Sequence, residues 1–155
     1  AVMGNKGPTI VRFEEPGLPV TVNVRVGSVL PLLWSATGRA FLAYLDERAV
    51  QAMASEELSH ASPEQRASLA GKDPIEALRQ AVRKAGCASV RDTNLRGISA
   101  VSAPLHDHTG RVCAVLTALG ATGGFDAAVG GPVAKAVQRE AASISAMLGY
   151  QDQAR

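Results

Sequence analysis

Valine occupies every second position from Val20 to Val26, and the residues between these valines are polar. A repeat of two places alternate side chains on opposite faces of an extended chain, so this segment is predicted to be a strand with one apolar face. Thr9–Glu14 is rich in β-branched residues and is predicted to be an earlier strand, followed by turn residues at Pro16–Gly17. Before it, Val2–Met3 leads into a Gly/Asn/Lys turn at Gly4–Gly7.

Apolar residues at helical spacing, together with residues that cap helix ends, predict five helices. Ser62-Pro63-Glu64-Gln65 has a clear start signal, because a capping serine precedes a proline and an acid in the first turn. The predicted helices run from Ser35 to about Leu45, from Asp46 (a candidate cap) to Leu58, from Ser62 onward, from Asp73 to Gly86, and from about Pro132 to Leu148.

Three further strands are predicted over Cys87–Arg91, Gly97–Pro104 and Arg111–Ala121, with His106–Gly110 as a hairpin turn. Strands joined by tight turns pair antiparallel, so the predicted fold class is α+β, with helices covering an antiparallel sheet. Arg111–Ala121 is nearly all apolar, which predicts that both of its faces are covered. A chain of 155 residues without internal repeats suits one domain.

Composition narrows the classes of function. The net charge is +2, from 16 Lys and Arg against 14 Asp and Glu, and aromatic residues make up 4%. Such a chain has little electrostatic attraction for nucleic acid or an anionic membrane, and few rings on which bases could stack. No apolar run approaches the ~20 residues that span a bilayer. Two cysteines are too few for a disulfide scaffold, so free thiols in a reducing cytoplasm are expected.

Side chains suited to catalysis or metal binding are few. Cys113 lies in the middle of an apolar strand, where burial raises a thiol pKa, and Cys87 follows a helix end, so both are predicted to be structural. His106-Asp107-His108 offers metal-ligand types, but the three residues lie in a predicted turn and are interpreted as a solvated hairpin. The sequence thus predicts no catalytic residue, no metal site and no cofactor. An enzyme or redox protein that uses Cys113, Cys87 or the histidine turn is the alternative.

Two regions are rich in small residues, which would leave room for a ligand. Ser35-Ala36-Thr37-Gly38-Arg39 opens a helix, where N–H groups without intrahelical acceptors attract anions. Helix capping and tight packing explain the same residues. Small and branched residues also share one face of each of two strands, where they either line a ligand or accept a packed helix. These residues are Ile98, Ala100 and Ser102, and then Val115, Thr117 and Leu119.

Several motifs, in their order along the chain, resemble those of the IclR-type transcriptional regulators. Arg25–Leu32 (RVGSVLPL) followed by Ser35–Ala43 (SATGRAFLA) is similar to the family signature VGxxLPL…GKAxLA. Gly86–Ala88 (GCA) followed by Gly97–Leu105 (GISAVSAPL) is similar to its GYA…G(V/I)xxIAAPVxD segment. Four motifs in the same order, counting the C-terminal one, make the resemblance specific.

The similarity continues to the end of the chain. Asp107 and Gly110–Val112 stand where the family has D-x-x-G-x-V, and Ala142–Tyr150 is similar to its last helix and LGY-like end. The resemblance covers roughly Val2 to Tyr150. One departure is Val90-Arg91-Asp92-Thr93, which largely replaces an acidic pair of the family.

The resemblance implies a fold and a role. Regulators of this type join an N-terminal winged helix-turn-helix to a C-terminal effector-binding domain with a GAF-like fold. Residues 1–155 are expected to be that effector-binding domain, as one unit without its first helix and without the winged helix-turn-helix. The implied partners are a small-molecule effector, either an organic acid or an aromatic metabolite, and further copies of the chain in a dimer or tetramer. Operator DNA is expected to bind only through the N-terminal domain, and no membrane contact is expected.

The family's pocket lies between the sheet, the connecting segment and the helix start. Ala100 and Leu119 stand where members that bind small carboxylates have polar residues, so the resemblance implies a more apolar pocket. It would suit a hydrophobic or aromatic ligand with a small polar or acidic head. A structural dimerisation domain with a collapsed pocket is a further alternative. The ligand-binding residues implied by the resemblance are Val22, Leu30, Ala36, Thr37, Ile98, Ala100, Thr117 and Leu119.

Overall fold

A three-stranded antiparallel sheet packs against helices on both faces, which confirms the predicted α+β class. The computed structural model describes residues 1–15, 17 and 22–151. Strands β1 and β2 form a hairpin of their own, and the main sheet has the order β3-β4-β5. The elements are β1 (Val2–Gly4), β2 (Gly7–Thr9), α1 (Ala36–Tyr44), α2 (Arg48–Ser59), α3 (Pro63–Ala67), α4 (Pro74–Ala85), β3 (Ala88–Arg91), β4 (Ile98–His106), β5 (Val112–Ala121) and α5 (Pro132–Met147).

The pairing of β4 with β5 determines which side chains face which helix. Ala100 lies opposite Leu119 and Ser102 lies opposite Thr117, so these four side chains share one face, as the alternation predicted. That face packs beneath α1. The other face, which includes Val101, packs against α5.

The helices follow the predicted pattern closely. Ser35 caps α1 by accepting the N–H of Gly38 at 2.8 Å. Ser62 and Gln65 form a reciprocal capping box at α3, and Asp73 caps α4. Local capping signals in the sequence therefore predicted the starts of these helices.

Within the described ranges, no helix is long and apolar enough to cross a membrane.

Asp46 is the exception among the predicted caps. Glu47 occupies the N-cap position of α2, and its side chain makes no capping hydrogen bond. The Asp46 carboxylate instead pairs with Arg79 of α4, which is only 6% exposed, and lies 3.6 Å from Arg83. A charge-assisted contact with a buried guanidinium is stronger than a capping bond to a neutral amide. The long-range partner therefore draws Asp46 away from the helix end.

The N-terminal strands differ from their predicted extents. β2 covers Gly7–Thr9 instead of Thr9–Glu14. The described chain returns beside it at Gly27 and Ser28, where the Gly27 N–H donates to the Ile10 carbonyl at 2.7 Å. Within the described residues, 11–15 have no paired strand, and an extended segment without one does not form a ladder.

The alternating valines form no strand where the structure describes them. Residues 22–25 are irregular, and Val20 and Thr21 lie outside the described residues. Val24 is 6% exposed while Val26 is 62% exposed, so alternate valines do not share a buried face. A period of two indicates which side chains share a face of an extended chain, but it does not supply the partner that a sheet requires.

Candidate functional site

Three hydroxyl groups form a chain where the first turn of α1 crosses β4 and β5. The Oγ1 atoms of Thr37 and Thr117 are 2.7 Å apart, and Thr117 Oγ1 is 2.6 Å from Ser102 Oγ. Thr37 is 2% exposed and Ser102 is completely buried. Each hydroxyl has one donor and two acceptor lone pairs. The two contacts among these three hydroxyls use two of their three donors. One hydroxyl donor and several acceptor lone pairs therefore remain for a ligand.

Small apolar side chains surround these hydroxyls. Ala36 and Ala100 belong to the buried cluster on this face of the sheet, and Leu119 packs against the same cluster. The first N–H groups of a helix have no intrahelical acceptor and carry a partial positive charge, so the start of α1 favours an acceptor or anionic group. Apolar surface with hydroxyl and amide groups at one end suits a ligand with an apolar body and a small polar head.

The predicted ligand-binding residues divide into two sets. Packing and hydrogen bonding bring together the start of α1 with Ala100, Thr117 and Leu119. Val22, Leu30 and Ile98 are half-buried, and none of the three belongs to the buried cluster on this face. Leu30 is tied to β2 instead, since its N–H donates to the Pro8 carbonyl at 2.8 Å. That either set binds a ligand stays a prediction.

The connector, residues 31–34, passes directly against the start of α1. A Cβ atom on Gly38 would lie 2.1 Å from the Pro31 carbonyl oxygen, so only glycine fits there. The Ser35 hydroxyl donates to the same Pro31 oxygen at 2.6 Å. Arg39 Nε donates to the Leu33 carbonyl at 2.7 Å, and burial lowers the pKa of Arg39. Two hydrogen bonds and this close approach therefore hold the connector against the first turn of α1.

Glu57 of α2 holds the connector from the other side. Its two carboxylate oxygens accept the N–H groups of Leu32 at 2.6 Å and Leu33 at 2.9 Å. Sequence reasoning missed Glu57, because nothing in the spacing of α2 marks it, whereas Ser102 followed from the strand alternation. A groove of about 450 Å³ opens beside this contact. Its lining residues are Lys6, Gly7, Leu32, Trp34, Met53, Glu56, Glu57, His60, Ala61 and Gln65.

The family model described as "Bacterial transcriptional regulator IclR C-terminal" matches residues 2–146. The chain belongs to the IclR family. The family is one of transcriptional regulators and not of enzymes, and its members generally bind small-molecule effectors and DNA and are oligomeric. A search of curated proteins gives no match to this IclR-type sequence.

Solved structures of IclR-type proteins have the same fold. HmgR of Pseudomonas aeruginosa is 38% identical, with a TM-score of 0.84 over 98% of this chain and 59% of that one. An IclR transcriptional regulator of Alicyclobacillus acidocaldarius is 33% identical, with a TM-score of 0.68 over 86% of this chain and 52% of that one. Thermotoga maritima IclR is 25% identical, with a TM-score of 0.62 over 88% and 53%. The chain thus spans little more than half the length of each of these proteins.

In this IclR domain the histidine turn is an ordered hairpin. The Asp107 carboxylate accepts hydrogen bonds from the Thr109 hydroxyl at 2.6 Å and the Thr109 N–H at 2.8 Å, and these bonds lower the pKa of Asp107. The His106 ring stacks on Tyr150 with centroids 4.8 Å apart. The described residues contain no group of three or more His, Cys, Asp or Glu side chains that could hold a metal ion.

Both cysteines are free thiols, but only Cys87 is buried. Burial raises the pKa of the Cys87 thiol. The prediction that Cys113 is buried was wrong. In the β4–β5 register, Leu105 lies opposite Ala114 and His106 lies opposite Val112, so Cys113 is the extra residue of a β-bulge. A bulge turns its side chain away from the regular pleat, and Cys113 therefore reaches solvent.

This difference predicts the thiol reactivity of the folded protein. One thiol per chain, that of Cys113, is expected to react with DTNB under native conditions, and the second is expected to react only after denaturation. Absorbance of the released thionitrobenzoate counts the thiols in each state. Cys113→Ser is expected to abolish the native reaction. Two reactive thiols in the native protein would show that Cys87 is accessible and contradict the burial.

Proposed function

We propose that residues 1–155 are the effector-sensing domain of a transcriptional regulator, and that the effector binds where α1 starts above β4 and β5. The chain of hydroxyls from Thr37 through Thr117 to Ser102 carries this proposal, because it places hydrogen-bonding groups within an otherwise apolar layer. The apolar walls of the proposed site would come from both layers. The proposed ligand-binding residues are Val22, Leu30, Ala36, Thr37, Ile98, Ala100, Thr117 and Leu119.

The proposed effector is an aromatic or aliphatic acid. Its apolar body would contact Ala36, Ala100 and Leu119, and its polar head would accept hydrogen bonds from the helix start and from the Thr37 or Thr117 hydroxyl. None of the eight proposed lining residues is charged. Recognition of the head group therefore relies on hydroxyl and amide dipoles instead of an ion pair. This arrangement suits a ligand that brings a single small polar group.

The proposed mechanism is thermodynamic linkage. An effector changes DNA affinity only if it binds one conformation or one assembly state more tightly than another. We propose that DNA binds to a winged helix-turn-helix outside residues 1–155. The full regulator is proposed to assemble into dimers or tetramers and to act in the cytoplasm. The effector domain itself then needs neither the positive charge nor the aromatic surface of a DNA clamp, in keeping with its net charge of +2.

Thermal shift with small acids tests the site. A matching aromatic or aliphatic acid at about 100 times its Kd is expected to raise Tm by roughly 5–10 °C. The panel comprises benzoate, phenylacetate and hexanoate, with pyruvate and glucose as polar comparisons. Thr117→Val keeps the shape of the side chain but removes the central one of the three linked hydroxyls. This variant is expected to lose most of the ligand-induced rise in Tm.

The matched control is Thr93→Val in the β3–β4 connection, where the lost hydroxyl bonds, among the described residues, only the Arg91 carbonyl. This variant is expected to respond to ligand as the wild type does. Stabilisation by pyruvate or glucose alone would contradict the apolar pocket. Turnover of a panel compound that Cys113→Ala abolishes would support the enzyme alternative, and self-association without any ligand response would support a structural domain.

A further inference from the structure

The connector contains two backbone N–H groups for which the described part of the chain offers only a side-chain acceptor. Leu32 is 1% exposed and Leu33 is completely buried, and the chain there is a turn between β2 and α1. Buried N–H groups outside helices and strands need another acceptor, because an unsatisfied donor is costly. The Glu57 carboxylate supplies both acceptors from α2, at 2.6 and 2.9 Å.

The geometry of this contact is specific for a carboxylate. Two successive N–H groups that point the same way form a concave anion site, and the two oxygens of one carboxylate match it. A glutamine side chain of the same shape has one acceptor oxygen and one amide group, so one of the two N–H groups would face another donor. Glu57 thus binds the connector through its negative charge and through the bidentate geometry of its carboxylate.

The contact reaches the proposed pocket through the connector. The Pro31 oxygen and the Leu32 Cα atom lie 2.1 and 2.5 Å from where a Cβ of Gly38 would be, so the connector leaves no free space against α1. Three residues further on, Ser35 opens the helix that carries Thr37. A displacement of the connector therefore displaces the helix start and, with it, the Thr37–Thr117 contact of 2.7 Å.

We propose that Glu57 is a positioning residue for effector binding: from α2, its carboxylate sets the connector and so the wall of the pocket. The inference rests on the proposed function of that pocket, which Glu57 does not line. If the proposal holds, a displacement of α2 changes the affinity for the effector. The groove of about 450 Å³ beside Glu57 leaves this contact within reach of solvent.

Trp34 reports the connector directly, because it is the only tryptophan of the chain and is 7% exposed. Glu57→Gln is expected to shift Trp34 emission to longer wavelength and to increase its quenching by acrylamide in the folded protein. Glu56→Gln is the matched control, since Glu56 neighbours Glu57 on α2, lines the same groove and bonds to none of the described residues through its carboxylate. It is expected to leave the emission of Trp34 unchanged.

Ligand affinity separates positioning from general stabilisation. Phenylacetate is expected to bind Glu57→Gln roughly ten-fold more weakly than wild type, and to bind Glu56→Gln with wild-type affinity, as measured by titration. If Glu57 only stabilised the fold, Glu57→Gln would lower Tm but leave Trp34 emission and phenylacetate affinity unchanged. That outcome would overturn the proposal.

Amide hydrogen exchange in the wild type tests the contact even if Glu57→Gln does not fold. The Leu32 and Leu33 amides are expected to be as protected as those of neighbouring α1, although they lie outside any helix or strand. Rapid exchange of both would overturn the proposal. If the proposed function is wrong, phenylacetate does not bind the wild type. Trp34 emission then still responds to Glu57→Gln, which identifies Glu57 as the residue that positions the connector.

Discussion

Gly38→Ala is expected to lower the free energy of unfolding by about 3 kcal/mol, which corresponds to the upper end of overpacking effects. An alanine Cβ would lie 2.1 Å from the Pro31 oxygen, 2.5 Å from the Leu32 Cα atom and 2.7 Å from the Leu32 oxygen. All three are backbone atoms, so no side-chain rotation relieves the clash. The intrinsic gain of about 1 kcal/mol from alanine in a helix is too small to offset it.

Urea unfolding followed by Trp34 fluorescence measures this effect, and Tm is expected to fall by roughly 6–12 °C. Gly124→Ala is the matched control, because a Cβ there meets no atom of the described residues within 4 Å and the glycine is not in the left-handed region. Its effect is expected to stay within about 0.5 kcal/mol. Equal stability of the two variants would mean that the connector moves freely against α1.

Asp46→Ala is expected to destabilise the domain by about 2 kcal/mol, because it leaves a buried guanidinium without its main carboxylate. Arg79 is 6% exposed, and its remaining acidic neighbour is Glu76, 3.5 Å from Nε. Burial lowers the pKa of Arg79, and the positive charge of Arg83 lowers it further. Without Asp46 between them, the two arginines repel each other more strongly. The 73% exposure of the Asp46 side chain keeps the cost below that of a fully buried pair.

Chemical unfolding of three variants separates the contributions. Arg79→Met is expected to cost less than Asp46→Ala, since it removes the buried charge together with the ion pair. Glu140→Ala is the control for an exposed pair, because Glu140 and Arg139 are 57% and 74% exposed. It is expected to change stability by about 0.5 kcal/mol at most. A cost of Arg79→Met above that of Asp46→Ala would contradict the expected penalty for an unpaired buried charge, because both variants lose the ion pair.

The helices could be predicted because their signals are local. Ser35, Ser62 and Asp73 cap helices at the predicted positions, and each side chain satisfies an N–H within three residues of itself. Asp46 has the same local signal, yet it pairs with Arg79, which lies 33 positions further along the chain. Long-range contacts of this kind leave no mark at the capping residue.

The candidate site was predictable in part for the same reason. Strand alternation placed Ala100, Thr117 and Leu119 on shared faces, and the register confirms these faces. Cys113 escaped the same reasoning, since a single extra residue in β5 changes where its side chain points. Ligand binding by any of these residues stays a prediction that the thermal-shift experiment decides.

Composition, capping residues and motif order were enough to establish the α+β class, the five helices, the sheet strands and the family resemblance, because these depend on neighbours in sequence. The hydroxyl chain, the Glu57 contact with the connector and the Asp46–Arg79 pair appear only in the folded chain. Each joins groups at least 15 residues apart. Their formation depends on how helices pack on the sheet, and only the closure of the whole core brings such groups within hydrogen-bond distance.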